Sequence, residues 1–225
     1  MTTEIRAFIF DMDGVLADTI EHHFLAWKRL AEDENVSFAR QDNDQLRGLS
    51  RRDSLYRVFK GHPIDEDRAQ ALMQRKHEYF QEYLRDLSPE DQLPGVTAFL
   101  EEARAAGLLL GVGSASRNTR DVLKRLELAD FFDAIGDAFS VVNSKPAPDV
   151  FLWVAGRLNV TPTQAVVFED AEAGIDPALK GGFWTVGLGT SNVAHAHLVF
   201  PDLAHTNVQD ILAQLHAALP RTTLA

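Results

Sequence analysis

Residues 7–14 read Ala7-Phe8-Ile9-Phe10-Asp11-Met12-Asp13-Gly14. An unbroken apolar run gives way at once to two acids and a glycine. A run this short, with no polar alternation, suits a strand covered on both faces, as in a parallel sheet. Gly14 lets the chain turn sharply after it. The same grammar recurs downstream. Leu108 to Gly113 reads as a strand running into Ser114-Ala115-Ser116, and Ala165 to Phe168 as a strand running into Glu169-Asp170. Ala134-Ile135-Gly136 reads as a weak strand and Phe183 to Gly187 as another. Helical stretches separate them: Val96 to Ala106, Thr119 to Leu128, Asp149 to Leu158, Ala173 to Lys180 despite Pro177, and Val208 to Leu219. Such alternation implies parallel strands with helices on both faces, an α/β Rossmann-like core.

The alternation is interrupted once, between Thr19 and Leu87. Phe24, Trp27 and Leu30, then Leu55, Val58 and Phe59, then Leu72, Tyr79, Phe80, Tyr83 and Leu84 recur at helical spacing among polar residues. This amphipathic pattern predicts an inserted α-helical cap. Ser88-Pro89 and Leu93-Pro94-Gly95 punctuate its end. The expected organisation is a core of residues 1–16 and 89–225, with a cap of residues 17–88.

Composition narrows the function. The 225 residues are 45% hydrophobic and 24% charged, which is ordinary for a globular chain and excludes disordered or collagen-like readings. Lys+Arg 22 against Asp+Glu 33 leaves a net charge of -11, so a basic nucleic-acid footprint is not expected. There is no cysteine, which excludes disulfides, zinc thiolates and thiol catalysis. No apolar run approaches the ~20 residues of a membrane span. Asp11 and Asp13 interrupt the first apolar run too early for a signal peptide. The expectation is a cytoplasmic monomer acting on a small molecule, with neither nucleic acid nor membrane as partner.

Three strand ends carry complementary polar groups: Asp11 and Asp13, Ser114 and Ser116, Glu169 and Asp170. Sites in open parallel sheets form beyond the carboxyl ends of strands, so these groups should meet. Four carboxylates at one edge repel each other, and a hard divalent cation removes that cost. Oxygen ligands suit Mg²⁺ better than zinc. Lys145 adds a positive charge. Together they suit a phosphoryl group. In Asp11-Met12-Asp13, one carboxylate can attack phosphorus while the other moves a proton. On pattern alone, Lys76 reads equally as a charge on a polar helix face, Arg51 more as a phosphate contact than as a solvated charge, and Trp27 as core.

The stretch from Phe10 to Thr19 resembles the first motif of the haloacid dehalogenase superfamily of phosphotransferases. Ser114-Ala115-Ser116 resembles the second. Lys145, within Ser144-Lys145-Pro146-Ala147-Pro148-Asp149, resembles the third, and Glu169-Asp170-Ala171-Glu172-Ala173-Gly174-Ile175 the fourth. All stand in the family's order and span nearly the whole chain. More narrowly, His23, Trp27, the stretch from Gly48 to Leu55, Arg75-Lys76 and Ser114-Ala115-Ser116-Arg117-Asn118 resemble the β-phosphoglucomutase family, which interconverts β-glucose 1-phosphate and β-glucose 6-phosphate through a bound 1,6-bisphosphate.

That resemblance implies roles. Asp11 would be nucleophile and metal ligand, and Asp13 the general acid/base with its carbonyl on Mg²⁺. Glu169 and Asp170 would complete the metal site. Ser114 and Lys145 would hold the transferring phosphoryl group. Gly48, Leu49, Arg51, Ala115, Ser116, Arg117 and Asn118 would bind the sugar phosphate, with Trp27 beside them. His23 and Lys76 would support the closed cap. Two departures stand out: Arg117 occupies a position usually held by Lys, and Ala171 one where Ser is common. A sugar-phosphate phosphatase on the same scaffold is the alternative.

Overall fold

The computed structural model describes residues 4–189 and 193–218. Its strands are β1 (Ala7–Phe10), β2 (Leu109–Gly113), β3 (Ala134–Gly136), β4 (Ala165–Glu169), β5 (Trp184–Leu188) and β6 (Leu198–Phe200). They form one sheet in the order β3-β2-β1-β4-β5-β6, with every pairing parallel. The order reverses between β1 and β4, so the crevice at their carboxyl ends is a topological switch point. In register, Phe10 stands opposite both Val112 and Phe168. Asp11, the next residue, and Glu169, the last residue of β4, therefore stand side by side at the sheet's carboxyl edge.

The unbroken apolar run of β1 is explained by cover on both faces. Phe8, Phe10 and Phe168 point to one side with Phe99 of α5 (Val96–Ala105), and the Phe10 and Phe168 rings stack at 4.6 Å. Helices α6 (Thr119–Arg125) and α9 (Val208–Ala218) close the same layer through Val122, Leu123, Ile211 and Leu215. Ala7, Ile9 and Val167 point to the other side, against Phe151 and Val154 of α7 (Asp149–Arg157) and Ala178 of α8 (Glu172–Lys180).

Between β1 and α5 lie α1 (Ile20–Asp33), α2 (Arg40–Asp44), α3 (Arg51–Val58) and α4 (Glu66–Tyr83). Trp27, Leu30, Leu46, Leu55, Val58 and Leu72 give these helices an apolar cluster of their own. Local caps start two of them: the Ser50 hydroxyl accepts from Asp53 N at 3.1 Å, and the Asp65 carboxylate from Arg68 N at 2.8 Å. Phe80 and Leu84 join the sheet cluster instead, which roots the far end of α4 against the core.

Two expectations are corrected. The strand β6 was not expected, because its three residues are partly exposed and lie at the sheet edge, where no long apolar run is required. The helix from Thr119 stops at Arg125, short of Leu128, because Glu127 takes a left-handed conformation at φ 58° and the chain turns Leu128 into the core. Leu219, expected to end the last helix, lies outside the described residues. Among the described residues no helix is long and apolar enough to cross a membrane.

Candidate active site

The side-chain alternation that buries Ile9 and Val167 continues into the site. Asp11 and Glu169 emerge on that same face, where Lys145 reaches them over the Phe151 ring. Lys145 Nζ donates to Asp11 Oδ1 at 2.7 Å and to Glu169 Oε1 at 2.6 Å. Glu169 Oε2 accepts from the backbone N–H groups of Asp170 and Ala171, at 3.0 and 3.2 Å. The Glu169 carboxylate needs room to turn back on the start of α8. A Cβ at position 174 would lie 1.7 Å from Glu169 Oε1, so Gly174 supplies that room. Likewise a Cβ at position 14 would lie 2.2 Å from Asp170 Oδ2, and Gly14 has φ +85°.

Carboxylate oxygens of Asp11, Glu169 and Asp170 all lie within 4.8 Å of one another, a set that could hold a metal ion. Burial raises the Asp11 pKa to about 6, although Lys145 pulls it down. Burial also raises Glu169 and Asp170, with Asp11 pushing Glu169 further up and Glu169 pushing Asp170 further up. Lys145 is desolvated as well, yet Asp11 and Glu169 outweigh that and hold it firmly protonated. One ammonium faces three crowded carboxyls. The all-oxygen set and its frustrated charge fit a hard divalent cation.

Asp13 lies in a different electrostatic setting. Burial pushes it up, but His23, the Thr19 hydroxyl that donates to it and Lys76 together bring its pKa below the ordinary value. His23 Nε2 is 3.5 Å from Asp13 Oδ1, and Lys76 Nζ is 2.9 Å from His23 Nδ1. Lys76 is buried among the Trp27 and Phe80 rings and Arg51, and its pKa falls well below that of a free lysine, mainly through desolvation. So the two acids of Asp11-Met12-Asp13 have opposite tendencies: one is pushed towards the proton-bearing form, the other is held as an anion.

A short turn follows β2. The Ser114 hydroxyl accepts from Ser116 N and the Ser116 hydroxyl from Asn118 N, each at 3.1 Å. These contacts shape Ser114-Ala115-Ser116-Arg117-Asn118 at the sheet's end. A cleft lies between this edge and the helical layer. Asp11, Asp13, His23, Trp27, Gly48, Leu49, Arg51, Lys76, Ser114, Ala115, Ser116, Arg117, Asn118 and Asp170 all line it. Trp27 borders the cleft but is almost wholly buried in the helical cluster. Lys145 and Glu169 lie behind Asp11, with no exposed surface of their own to speak of.

Sequence reasoning missed Arg47, whose Nη1 lies 3.4 Å from Asp170 Oδ2, and Gln81, whose amide donates to Asn118 Oδ1 at 2.9 Å. Both tie the helical layer to the sheet edge. Neither carries a local signal, since each is one polar residue among many on its segment.

An α/β enzyme that works on an anion through clustered carboxylates is what this fold and site define. A family model described as haloacid dehalogenase-like hydrolase matches residues 5–182, and the chain belongs to that family. The chain is 41% identical over 189 residues to "Beta-phosphoglucomutase" of Bacillus subtilis, covering 82% of this chain and 84% of that protein. It is 33% identical over 180 residues to "Phosphorylated carbohydrates phosphatase" of Thermotoga maritima, covering 79% and 82%. The crystal structure of beta-phosphoglucomutase from Clostridium difficile superposes with a TM-score of 0.92 at 33% identity, covering 96% of this chain and all of that one.

Proposed function

We propose that the protein is a β-phosphoglucomutase, an isomerase that interconverts β-D-glucose 1-phosphate and β-D-glucose 6-phosphate through β-glucose 1,6-bisphosphate. The observation that carries this beyond the family is charge at both ends of the cleft. Asp11 lines one end, with Lys145 buried directly behind it. Arg51 and Arg117 stand at the other, and among the described residues neither guanidinium has a carboxylate partner. Burial and the neighbouring Arg117 lower the Arg51 pKa to about 10. Two unpaired guanidiniums held together invite an anion, and a guanidinium binds phosphate bidentately. A mutase needs such a distal grip because its intermediate carries two phosphates.

The chain's own residues account for the transfer. With Asp11 phosphorylated, the 6-hydroxyl of β-glucose 1-phosphate attacks phosphorus as Asp13 takes its proton. The aspartyl P–O bond breaks, leaving the bisphosphate. After the bisphosphate turns end for end, Asp11 attacks the other phosphoryl group. The C1 oxygen leaves with the proton from Asp13, and Asp11 is phosphorylated again. The lowered pKa of Asp13 keeps it ionised, so it is free to take up the first proton. Ser114 and Lys145 orient the phosphoryl oxygens, and closure of the helical layer excludes water that would hydrolyse the acyl phosphate. Asp11, Asp170, Glu169 and the Asp13 carbonyl would hold Mg²⁺, which neutralises charge on the carboxylates and the phosphoryl group.

All these groups come from one chain, which supports a monomer. Phosphorylated sugars are charged and do not cross a bilayer unaided, which supports a cytoplasmic location. The test is incubation with Mg²⁺, β-glucose 1-phosphate and a trace of the bisphosphate, following glucose 6-phosphate and inorganic phosphate together. Isomer without free phosphate is expected. Stoichiometric release of phosphate would make the protein a sugar-phosphate phosphatase instead. Asp11→Asn should abolish both outcomes.

A further inference from the structure

The loop after β3 presents an aromatic ring that the reaction above does not use. Asp137 Oδ1 accepts from Phe139 N at 2.9 Å and from the Ser140 hydroxyl at 3.0 Å, while the Ser140 oxygen accepts from Asp137 N at 3.1 Å. Asp137 is buried and also faces Arg120 Nε at 3.3 Å. Ala138 N donates to Ser116 O at 3.2 Å, which ties the loop to the turn that follows β2. This is a rigid Asx turn, and it holds its ring outward. Phe139 is 69% exposed, yet its ring centroid lies 5.3 Å from Arg117 Cζ. That distance is within cation–π range.

We infer that Phe139 is a positioning residue: its ring holds the Arg117 guanidinium at the distal end of the cleft, where the second phosphate of a sugar bisphosphate binds. The inference rests on the mutase reading. A free arginine side chain has many rotamers, and the contact with the ring favours those that keep the guanidinium beside it before the ligand arrives. A cation–π contact uses up no hydrogen-bond donor, so the guanidinium N–H groups stay available for phosphate oxygens.

The test compares Phe139→Ala, Phe139→Leu and Phe139→Tyr, alone and with Arg117→Ala, by KM for β-glucose 1,6-bisphosphate and by kcat. Because the ring is exposed, each variant should fold, and thermal unfolding checks this. The Ala and Leu variants should raise KM about two- to five-fold with kcat kept within about twofold, and the Tyr variant should match the parent. In the Arg117→Ala background, Phe139→Ala should add nothing. A parental KM for Phe139→Leu, or a full extra loss in the Arg117→Ala background, overturns the inference. An unchanged KM for Arg117→Ala by itself overturns the distal grip first, and this inference with it. A raised KM for Arg117→Ala alone, with Phe139→Ala unchanged, overturns only the role of the ring.

Discussion

Lys145 Nζ donates to Asp11 Oδ1 at 2.7 Å across a sequence separation of 134 residues. The contact lies in the interior, so the ammonium compensates a carboxylate that water cannot reach. Removing one partner of such a pair leaves the other uncompensated. Lys145→Met should therefore destabilise the protein by about 3–5 kcal/mol in denaturant unfolding and abolish transfer. Adding Glu169→Gln should recover part of the stability and none of the activity. Full recovery of activity would mean that Lys145 only balances charge.

The raised pKa of Asp11 sets a pH dependence for the metal. Its ordinary value is 3.8, and burial carries it to about 6. A carboxyl with a raised folded pKa stabilises the fold below its unfolded pKa, and that contribution disappears as pH rises through about 6. A cation competes with the same proton. The Mg²⁺-induced rise in Tm should thus be small near pH 5 and larger above about pH 7. An equal rise at both values would place the cation away from Asp11.

Arg51 opens α3 behind its Ser50 cap and lines the far end of the cleft. Arg51→Ala should weaken isomerisation by about ten- to a hundredfold in kcat/KM, the loss expected for hydrogen bonds to a charged group. Hydrolysis of a simple phosphate monoester has no distal phosphate to lose, so it should fall much less. Equal losses on the two substrates would remove the case for a distal grip.

Gly174 is required for space. A Cβ there would sit within bonding distance of the Glu169 carboxylate, and α8 begins close by, which leaves little freedom to relax. Gly174→Ala should cost about 1–3 kcal/mol by overpacking and weaken Mg²⁺ binding measured by calorimetry. Unchanged Mg²⁺ affinity would show that Glu169 takes no part in holding the cation.

How far the site could be read from the chain varies residue by residue. Asp11, Ser114 and Glu169 were legible because each directly follows an apolar run, and a run that ends in a polar group marks a strand's exit. Lys76 was not. It lies between Arg75 and His77 in a polar stretch, yet Arg75 reaches outward to Asp33 and Glu34 while Lys76 turns inward onto His23. One position of helical rotation separates the two fates, and composition does not record it. Arg47 looked like any surface arginine until the fold set it beside Asp170.

By itself the amino-acid sequence determined the parallel α/β core, the helical insertion after its first strand and the acids at the strand ends. These follow from local hydrophobic runs, helical periodicity and turn residues, which act over a few positions. Tertiary structure alone decided the partners: Lys145 between Asp11 and Glu169, His23 and Lys76 behind Asp13, Arg51 beside Arg117. Such pairings depend on where distant elements dock. The energy of a buried charge is set by the groups within a few ångströms of it, whatever their distance along the chain.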